Sequence, residues 1–191
     1  MDWYRLKHTL CMYLTGDAVK RAEYIKKHDI FYSMGNNCMV MFRKIPLYPK
    51  LISFGNNVWI ASNVTFITHD VIHYMLNYKA RKEKFQEHLG CIKINDNCFI
   101  GADTAIVGGV EIGPNVIVGA GSLINKDMKE GVYAGVPARY ICSFEEYTKK
   151  REEAKEPELV RAKGGLADST VEAYWKLFSS KREESRENGR N

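Results

Sequence analysis

What this chain of 191 residues lacks narrows its possibilities before any motif is considered. It has no CxxC pair, and its cysteines, Cys11, Cys38, Cys91, Cys98 and Cys142, stand at no zinc-finger spacing to a histidine. An odd, unpatterned set excludes a disulfide-framed secreted module or a zinc ribbon and points to a reducing, cytoplasmic setting. No apolar run reaches the roughly 18 residues that a membrane span needs, and Asp2, Arg5 and Lys7 interrupt the start, against a signal peptide. Strong charge is absent too: 28 Lys and Arg face 23 Asp and Glu, a net of +5. Residues 145–191 hold 11 of each sign, so the excess, 17 against 12, lies in residues 1–144. That is too slight and scattered for nucleic acid, but it suits a polyanionic small molecule.

The strongest feature present is a period of six over residues 92–129. Its first positions read Ile94, Ile100, Ile106, Ile112, Val118 and Ile124. Two places before each stands Ile92, Cys98, Thr104, Val110, Val116 or Ser122, mostly small or β-branched. Helical spacing would scatter the isoleucines around the axis. A chain that turns a corner every six residues explains them, with each aliphatic side chain directed into a stacked interior. Gly101, Gly113 and Gly119, with Asn95, Asp96, Asn97, Asp103, Pro114 and Asn115, fall at the corners, where positive φ is needed or tolerated. The fold class is therefore mainly β, a parallel β-helix whose coils must stack to bury their aliphatic faces. Cys98 falls on an inward position and reads as core.

Residues 1–30 read as an N-terminal helical cap. Trp3, Leu6, Leu10 and Tyr13 form one apolar stripe. Thr15-Gly16-Asp17 breaks it and can cap a second helix, Ala18 to Lys27, with Ala18, Ala22 and Ile25 on one side. Such a cap either helps to shape a binding site or shields the open end of the β-helix. The β-helix domain is expected over 31–142. A first corner is legible at Met34-Gly35-Asn36-Asn37-Cys38, and the register lapses over 40–51 around Pro46 and Pro49. It resumes with Phe54, Ile60 and Phe66 inward, preceded by Ile52, Val58 and Val64, and ends at Thr68-His69-Asp70. The 28 residues from 66 to 94 are no multiple of six, so a segment of about 70–90 is inserted out of register. It is expected to be an irregular polar and aromatic excursion, and insertions on solenoids commonly mark the binding face. Residues 143–191 form a charged tail with a short helix over 171–178, and the last dozen residues are expected to be disordered.

Together these residues resemble the hexapeptide-repeat acyltransferases, nearest to the galactoside, maltose and polysaccharide sugar O-acetyltransferases. The resemblance covers roughly residues 18–142. It rests on Asn57-Val58-Trp59-Ile60 with Thr68-His69-Asp70, on the run from Ile112-Gly113-Pro114-Asn115 to Gly119-Ala120-Gly121-Ser122, and on Lys126-Asp127. Ala134-Gly135-Val136-Pro137-Ala138-Arg139 completes it, and the first and last of these motifs are the specific ones. The repeats alone specify fold and not chemistry, since nucleotidyltransferase tails and carbonic anhydrases carry them too. The resemblance implies a left-handed winding, a homotrimer with its active site between adjacent subunits, and acetyl-CoA lying along the outer groove.

Acetyl transfer from a thioester to a hydroxyl needs a base, because an alcohol is a poor nucleophile until its proton leaves, and a donor for the developing oxyanion. Histidine suits the first task. His69 stands at a coil corner just before the insertion, where the family's catalytic histidine lies, and is assigned as general base; no acyl-enzyme is required. Asp70, His73, Trp59 and Tyr74 are the candidate acceptor contacts, with His88 less placed, and the group that orients His69 is left open. By resemblance, Gly101-Ala102 and Gly119-Ala120 let a pantetheine arm approach the backbone, and Lys126 and Arg139 are candidates for the coenzyme's phosphates. Asn125, Ala102 and Cys142 depart from the residues relatives often carry there.

Three other readings stand beside a sugar or polysaccharide acceptor. A xenobiotic hydroxyl or an amino-sugar nitrogen would keep the chemistry and change the acceptor. A metal-dependent hydratase would need three histidines converging between subunits, for which His69, His73 and His88 supply the count. A non-enzymatic trimeric scaffold would leave both specific motifs unexplained. No resident metal is expected.

Overall fold

Each six-residue repeat folds into a short strand and a corner, and three such sides close one coil. Strands β1 (Ser33–Met34) and β2 (Met39–Val40) open the β-helix. Then β3 (Ile52–Phe54), β4 (Val58–Ile60) and β5 (Thr65–Ile67) form a full coil. The next coils are β6 (Ile92–Ile94), β7 (Cys98–Ile100) and β8 (Ala105–Val107), then β9 (Val110–Ile112), β10 (Val116–Val118) and β11 (Leu123–Ile124). Strand β12 (Gly131–Ala134) adds a last side, and β13 (Arg139–Cys142) doubles back antiparallel against it. The strands stack into three sheets: the first is β1-β3-β6-β9, the second β2-β4-β7-β10-β12-β13, the third β5-β8-β11. This computed structural model describes residues 3–188, which divide into two compact units, the first running to Thr148 and the second starting at Lys149.

The register bears out the period of six. Phe54, Ile94 and Ile112 stack in the first sheet, Ile60, Ile100 and Val118 in the second, Phe66, Ile106 and Ile124 in the third. All are buried, as are the small or β-branched residues two places earlier. Asn37, Asn57, Asn63, Asn97, Asp103 and Asn115 turn the corners with φ between 54 and 59°, a conformation that Asn and Asp tolerate better than other side chains. Their amides also tie coil to coil: Asn57 Nδ2 donates to Asn97 Oδ1 at 2.9 Å, and Asn97 Nδ2 to Asn115 Oδ1 at 3.1 Å. Where the register lapses, Phe31 and Phe42 join Phe54 and Phe66 in an aromatic plug with ring centroids 5.1 to 6.3 Å apart.

Two helices, α1 (Trp3–Leu14) and α2 (Ala18–Lys27), add to this core. Asp17 Oδ1 accepts from Lys20 N at 2.9 Å, the expected cap. The expected apolar stripe of α1 is corrected: Trp3 (76% exposed), Leu10 (58%) and Tyr13 (57%) face outward, and Leu6 is exposed as well. His8 and Met12, four residues apart, are the buried face. Met12 joins Ala22, Ile25 and Ile30 in the core, while His8 Nδ1 lies 2.8 Å from the Tyr24 hydroxyl. Local hydrophobicity was outvoted by packing. On α2, Arg21 is buried beside Ala22 and Ile25, and donates to the carbonyls of Val40, Thr15 and Gly16 at 3.0, 2.7 and 3.2 Å. Burial and the nearby Arg43 pull its pKa down.

The segment expected to be irregular instead contains helix α3 (Ile72–Ala80). Asn77 holds the turn after it, accepting from the backbone of Lys84 and Phe85 at 2.9 and 2.8 Å and donating to Phe85 O at 2.8 Å. Helix α4 (Phe144–Glu153) opens with a reciprocal cap, in which Ser143 Oγ accepts from Glu146 N and Glu146 Oε2 from Ser143 N. In the second unit, β14 (Arg161–Ala162) and β15 (Gly165–Leu166) form a hairpin before α5 (Asp168–Asn188). The helix expected over 171–178 thus runs 21 residues, through most of the stretch expected to be disordered. Lys, Arg and Glu are good helix formers, so a charged composition alone misjudges this segment. Residues 189–191 of that stretch lie outside the described residues.

The thiols sort by burial. Cys98 sits in the core, where desolvation pushes its thiol up to about 11, and Cys38 is buried and raised in the same way. Cys91 is exposed. Under a thiol reagent at neutral pH, peptide mapping should find Cys91 modified first, with Cys98 and Cys38 protected until denaturant is added. Early modification of Cys98 would mean that the coil opens in the native state.

Candidate active site

The corner after β5 is the most elaborate in the chain. Thr68 is buried there, its hydroxyl donating to Leu47 O at 2.8 Å. His69 follows and pairs antiparallel with Leu89, so the insertion leaves and returns through one narrow base. Asp70 N donates to His88 O at 3.2 Å, and Gly90 N to Thr68 O at 2.9 Å. Gly90 is required: a Cβ there would stand 2.6 Å from the backbone of Gly108 and Gly109 in the next coil. His69 is half-buried, with Nδ1 shielded from solvent and without a hydrogen-bond partner among the described residues. Burying such an atom unpaired costs about 1–3 kcal/mol.

Tyr48, which the sequence reading passed over, packs edge-on against His69, with ring centroids 5.3 Å apart and an interplanar angle of 89°. Its hydroxyl donates to Glu87 Oε2 at 2.9 Å, and that bond raises the phenol's pKa. Tyr48 itself has φ of 52°, uncommon for a residue with a side chain. The signal available in the sequence was a tyrosine between Pro46 and Pro49, where the repeat lapses. The Asp70 carboxylate is not bonded to His69 Nδ1; its Oδ1 accepts from Ile72 N at 3.0 Å at the start of α3. His73 lies on α3 with its Nδ1 likewise buried and unpartnered, its ring 4.1 Å from that of exposed Tyr74. Trp59 stands elsewhere, on the outer face of the second sheet beside Phe99, with Nε1 donating to Asn57 Oδ1 at 2.9 Å.

Gly101, Ala102, Gly119 and Ala120 occupy a different corner, between the second and third sheets. They stack from coil to coil: Gly101 N donates to Val118 O at 2.8 Å and Gly121 N to Ala102 O at 2.7 Å. A Cβ on Gly101 would come within 2.4 Å of Ala120 N in the next coil, so the stacking of the coils requires glycine there. Lys126 and Arg139 are brought together in a cavity of about 460 Å³ at the C-terminal end, shared with Asn125, Tyr133 and Tyr140. His69 and the small-residue corner lie at opposite edges of the third sheet. One chain therefore does not bring the proposed base and the proposed coenzyme path together. His69 does wall a groove of about 700 Å³ that runs to α1 and the 41–47 segment.

Among the described residues no group of three or more His, Cys, Asp or Glu side chains stands in metal-binding proximity, and no helix is long and apolar enough to cross a membrane.

A three-sided parallel β-helix with an elaborated histidine corner defines a class, and the comparisons agree with it. Residues 91–126 match the model of the bacterial transferase hexapeptide, six repeats. The chain is 39% identical over 156 residues to a putative acetyltransferase of Staphylococcus aureus, covering 72% of this chain and 75% of that one. The chain belongs to the hexapeptide-repeat transferase family. It is also 36% identical over 110 residues to the galactoside O-acetyltransferase of Escherichia coli, covering 56% of this chain and 52% of that one. A solved galactoside acetyltransferase in complex with coenzyme A superposes with a TM-score of 0.51 at 26% identity, over 76% of this chain and 82% of that one. The chain spans about half the length of several of the curated relatives it matches.

Proposed function

We propose that the protein is a cytoplasmic acetyl-CoA-dependent O-acetyltransferase that acetylates a hydroxyl of a sugar or polysaccharide precursor. In this reading three copies, each a left-handed β-helix, assemble so that the small-residue corner of one faces His69 of the next. The observation that carries it is the half-buried His69, with an unpartnered Nδ1, on the far edge of the third sheet from Gly101 and Gly119. A site split in this way is completed by a second copy.

The residues fit the co-substrate. Gly101 and Gly119 carry no side chain at this corner, so a narrow arm can approach the backbone, whose N–H and C=O groups suit amide bonding. Lys126 and Arg139 supply cations where phosphates would lie, Arg139 with a fork suited to bidentate contact. Bound there, acetyl-CoA supplies an activated thioester. His69 accepts the proton of the acceptor hydroxyl as its oxygen becomes the nucleophile, and returns it to the departing thiolate. Tyr48, backed by Glu87, limits the tilt of the imidazole. Asp70 acts on α3, and through it on His73 and Tyr74 beside the acceptor.

The test is thiol release from acetyl-CoA across monosaccharides and oligosaccharides, followed by subunit mixing. His69→Ala and Ala120→Trp each damage one half of a shared site, and Ala120 is exposed, so the bulky residue spares the core. Each variant alone should be nearly inactive. Co-refolded, they should recover a substantial part of wild-type activity, whereas the double variant should recover none. No recovery on mixing would place both halves in one chain and overturn the shared site.

A further inference from the structure

The groove beside His69 has a charge of one sign. Its walls include Arg5 from α1 and Arg43 and Lys44 from the segment between β2 and β3, and no Asp or Glu lines it. None of these three cations forms an ion pair among the described residues. Arg5 and Arg43 are positioned: Arg5 Nε donates to Ile45 O at 2.8 Å, and Arg43 Nη1 to Tyr13 O at 2.9 Å. Each bond uses one guanidinium N–H and leaves further donors over. Lys44 is exposed. The buried Arg21 guanidinium adds positive potential behind Arg43, close enough that the two cations disfavour one another. Gathering like charges around one concavity costs Coulomb energy, and an anion placed among them offsets that cost. The volume, about 700 Å³, is that of a small-molecule site.

We infer that the acceptor is an anionic saccharide, carrying a carboxylate or a phosphate that sits among Arg5, Arg43 and Lys44 while a hydroxyl lies at His69. The inference rests on the acetyl-transfer reading and adds the acceptor's charge to it. Arg5 and Arg43 tie α1 to the segment that walls the groove, so their anion contacts are geometrically fixed, whereas Lys44 contributes a mobile point charge.

Matched acceptors test it: glucose against glucuronate for the carboxylate, and glucose against glucose 1-phosphate for the phosphate. At low salt, kcat/KM for one charged member should exceed that for glucose by roughly tenfold or more, and the gap should shrink as salt is raised. Lys44→Gln should reduce that preference about three- to tenfold without changing affinity for coenzyme A, and Lys44→Arg should restore it. Equal turnover of charged and neutral sugars overturns the inference, as does a Lys44→Gln effect confined to coenzyme A. Calorimetry on the full chain with each of the three sugars separates the two readings. Binding of a charged sugar without turnover sinks acetyl transfer and keeps the groove; turnover of glucose without charged-sugar binding does the reverse; neither binding nor turnover sinks both.

Discussion

Substituting His69 by alanine is expected to lower kcat for acetyl transfer by about 10²- to 10⁴-fold, the range spanned by a single general base. Affinity for coenzyme A should stay within about twofold of wild type, because the contacts proposed for the coenzyme come from the backbone at Gly101 and Gly119 and from Lys126 and Arg139, not from the imidazole. Two of the neighbouring polar groups are already engaged. The Asp70 carboxylate is held at Ile72 N, and Tyr48 hydroxyl at Glu87. His73 is on α3, four residues further along the chain. A fall in kcat with little change in the acceptor's KM would mark a group that acts at the transition state; a rise in KM alone would mark one that only binds. His69→Asn separates shape from basicity, since asparagine keeps hydrogen-bonding capacity without the base, and it should be nearly as inactive. Tyr48→Phe removes the bond to Glu87 and keeps the ring against His69, so it should cost far less. Retention of more than about a tenth of wild-type kcat by His69→Ala would sink the assignment.

The two halves of this site were not equally legible in the sequence. Period and chemistry coincide at His69: a six-residue register ends at Thr68-His69-Asp70, and the structure closes the insertion at that residue through the bridge to Leu89. The corners were legible for the same reason, since positive φ is demanded at one position per turn and Asn, Asp or Gly must fill it. Tyr48 was not legible, because its relation to His69 depends on how an aperiodic segment folds back, and no local pattern encodes that. The facing of α1 was misread for a related reason. Its stripe from Trp3 to Tyr13 is real, but a capping helix is oriented by what lies beneath it, and Met12 fits beside Ile25 and Ile30 where the larger aromatics do not. In α3, a sequence of mixed polar and aromatic residues hid a helix, because backbone hydrogen bonds across the base of the insertion supply order that composition does not signal. The cations of the groove come from α1 and from the aperiodic 41–47 segment, so nothing but the folded chain brings them together.

Within strand β7, two adjacent substitutions should have very unequal costs. Ile100 is fully buried, stacked between Ile60 and Val118, whereas its neighbour Phe99 is 41% exposed on the outer face. Removing the Ile100 side chain to Ala leaves a cavity that the rigid coils above and below cannot close, and should destabilise the protein by about 2–5 kcal/mol. Phe99→Ala removes a larger side chain but returns surface that water already reaches, so its cost should be on the order of 1 kcal/mol or less. A solenoid core propagates such a defect, because each coil is stabilised by its neighbours on both sides and Ile100 belongs to the middle of the stack. Urea titration followed by circular dichroism, at two protein concentrations tenfold apart, measures both costs. A larger loss for Ile100→Ala at both concentrations is the outcome the packing requires. If Phe99→Ala proved the costlier, and more so on dilution, the outer face of the second sheet would be buried against another copy in solution. Trp59 and Phe99 would then be interface residues.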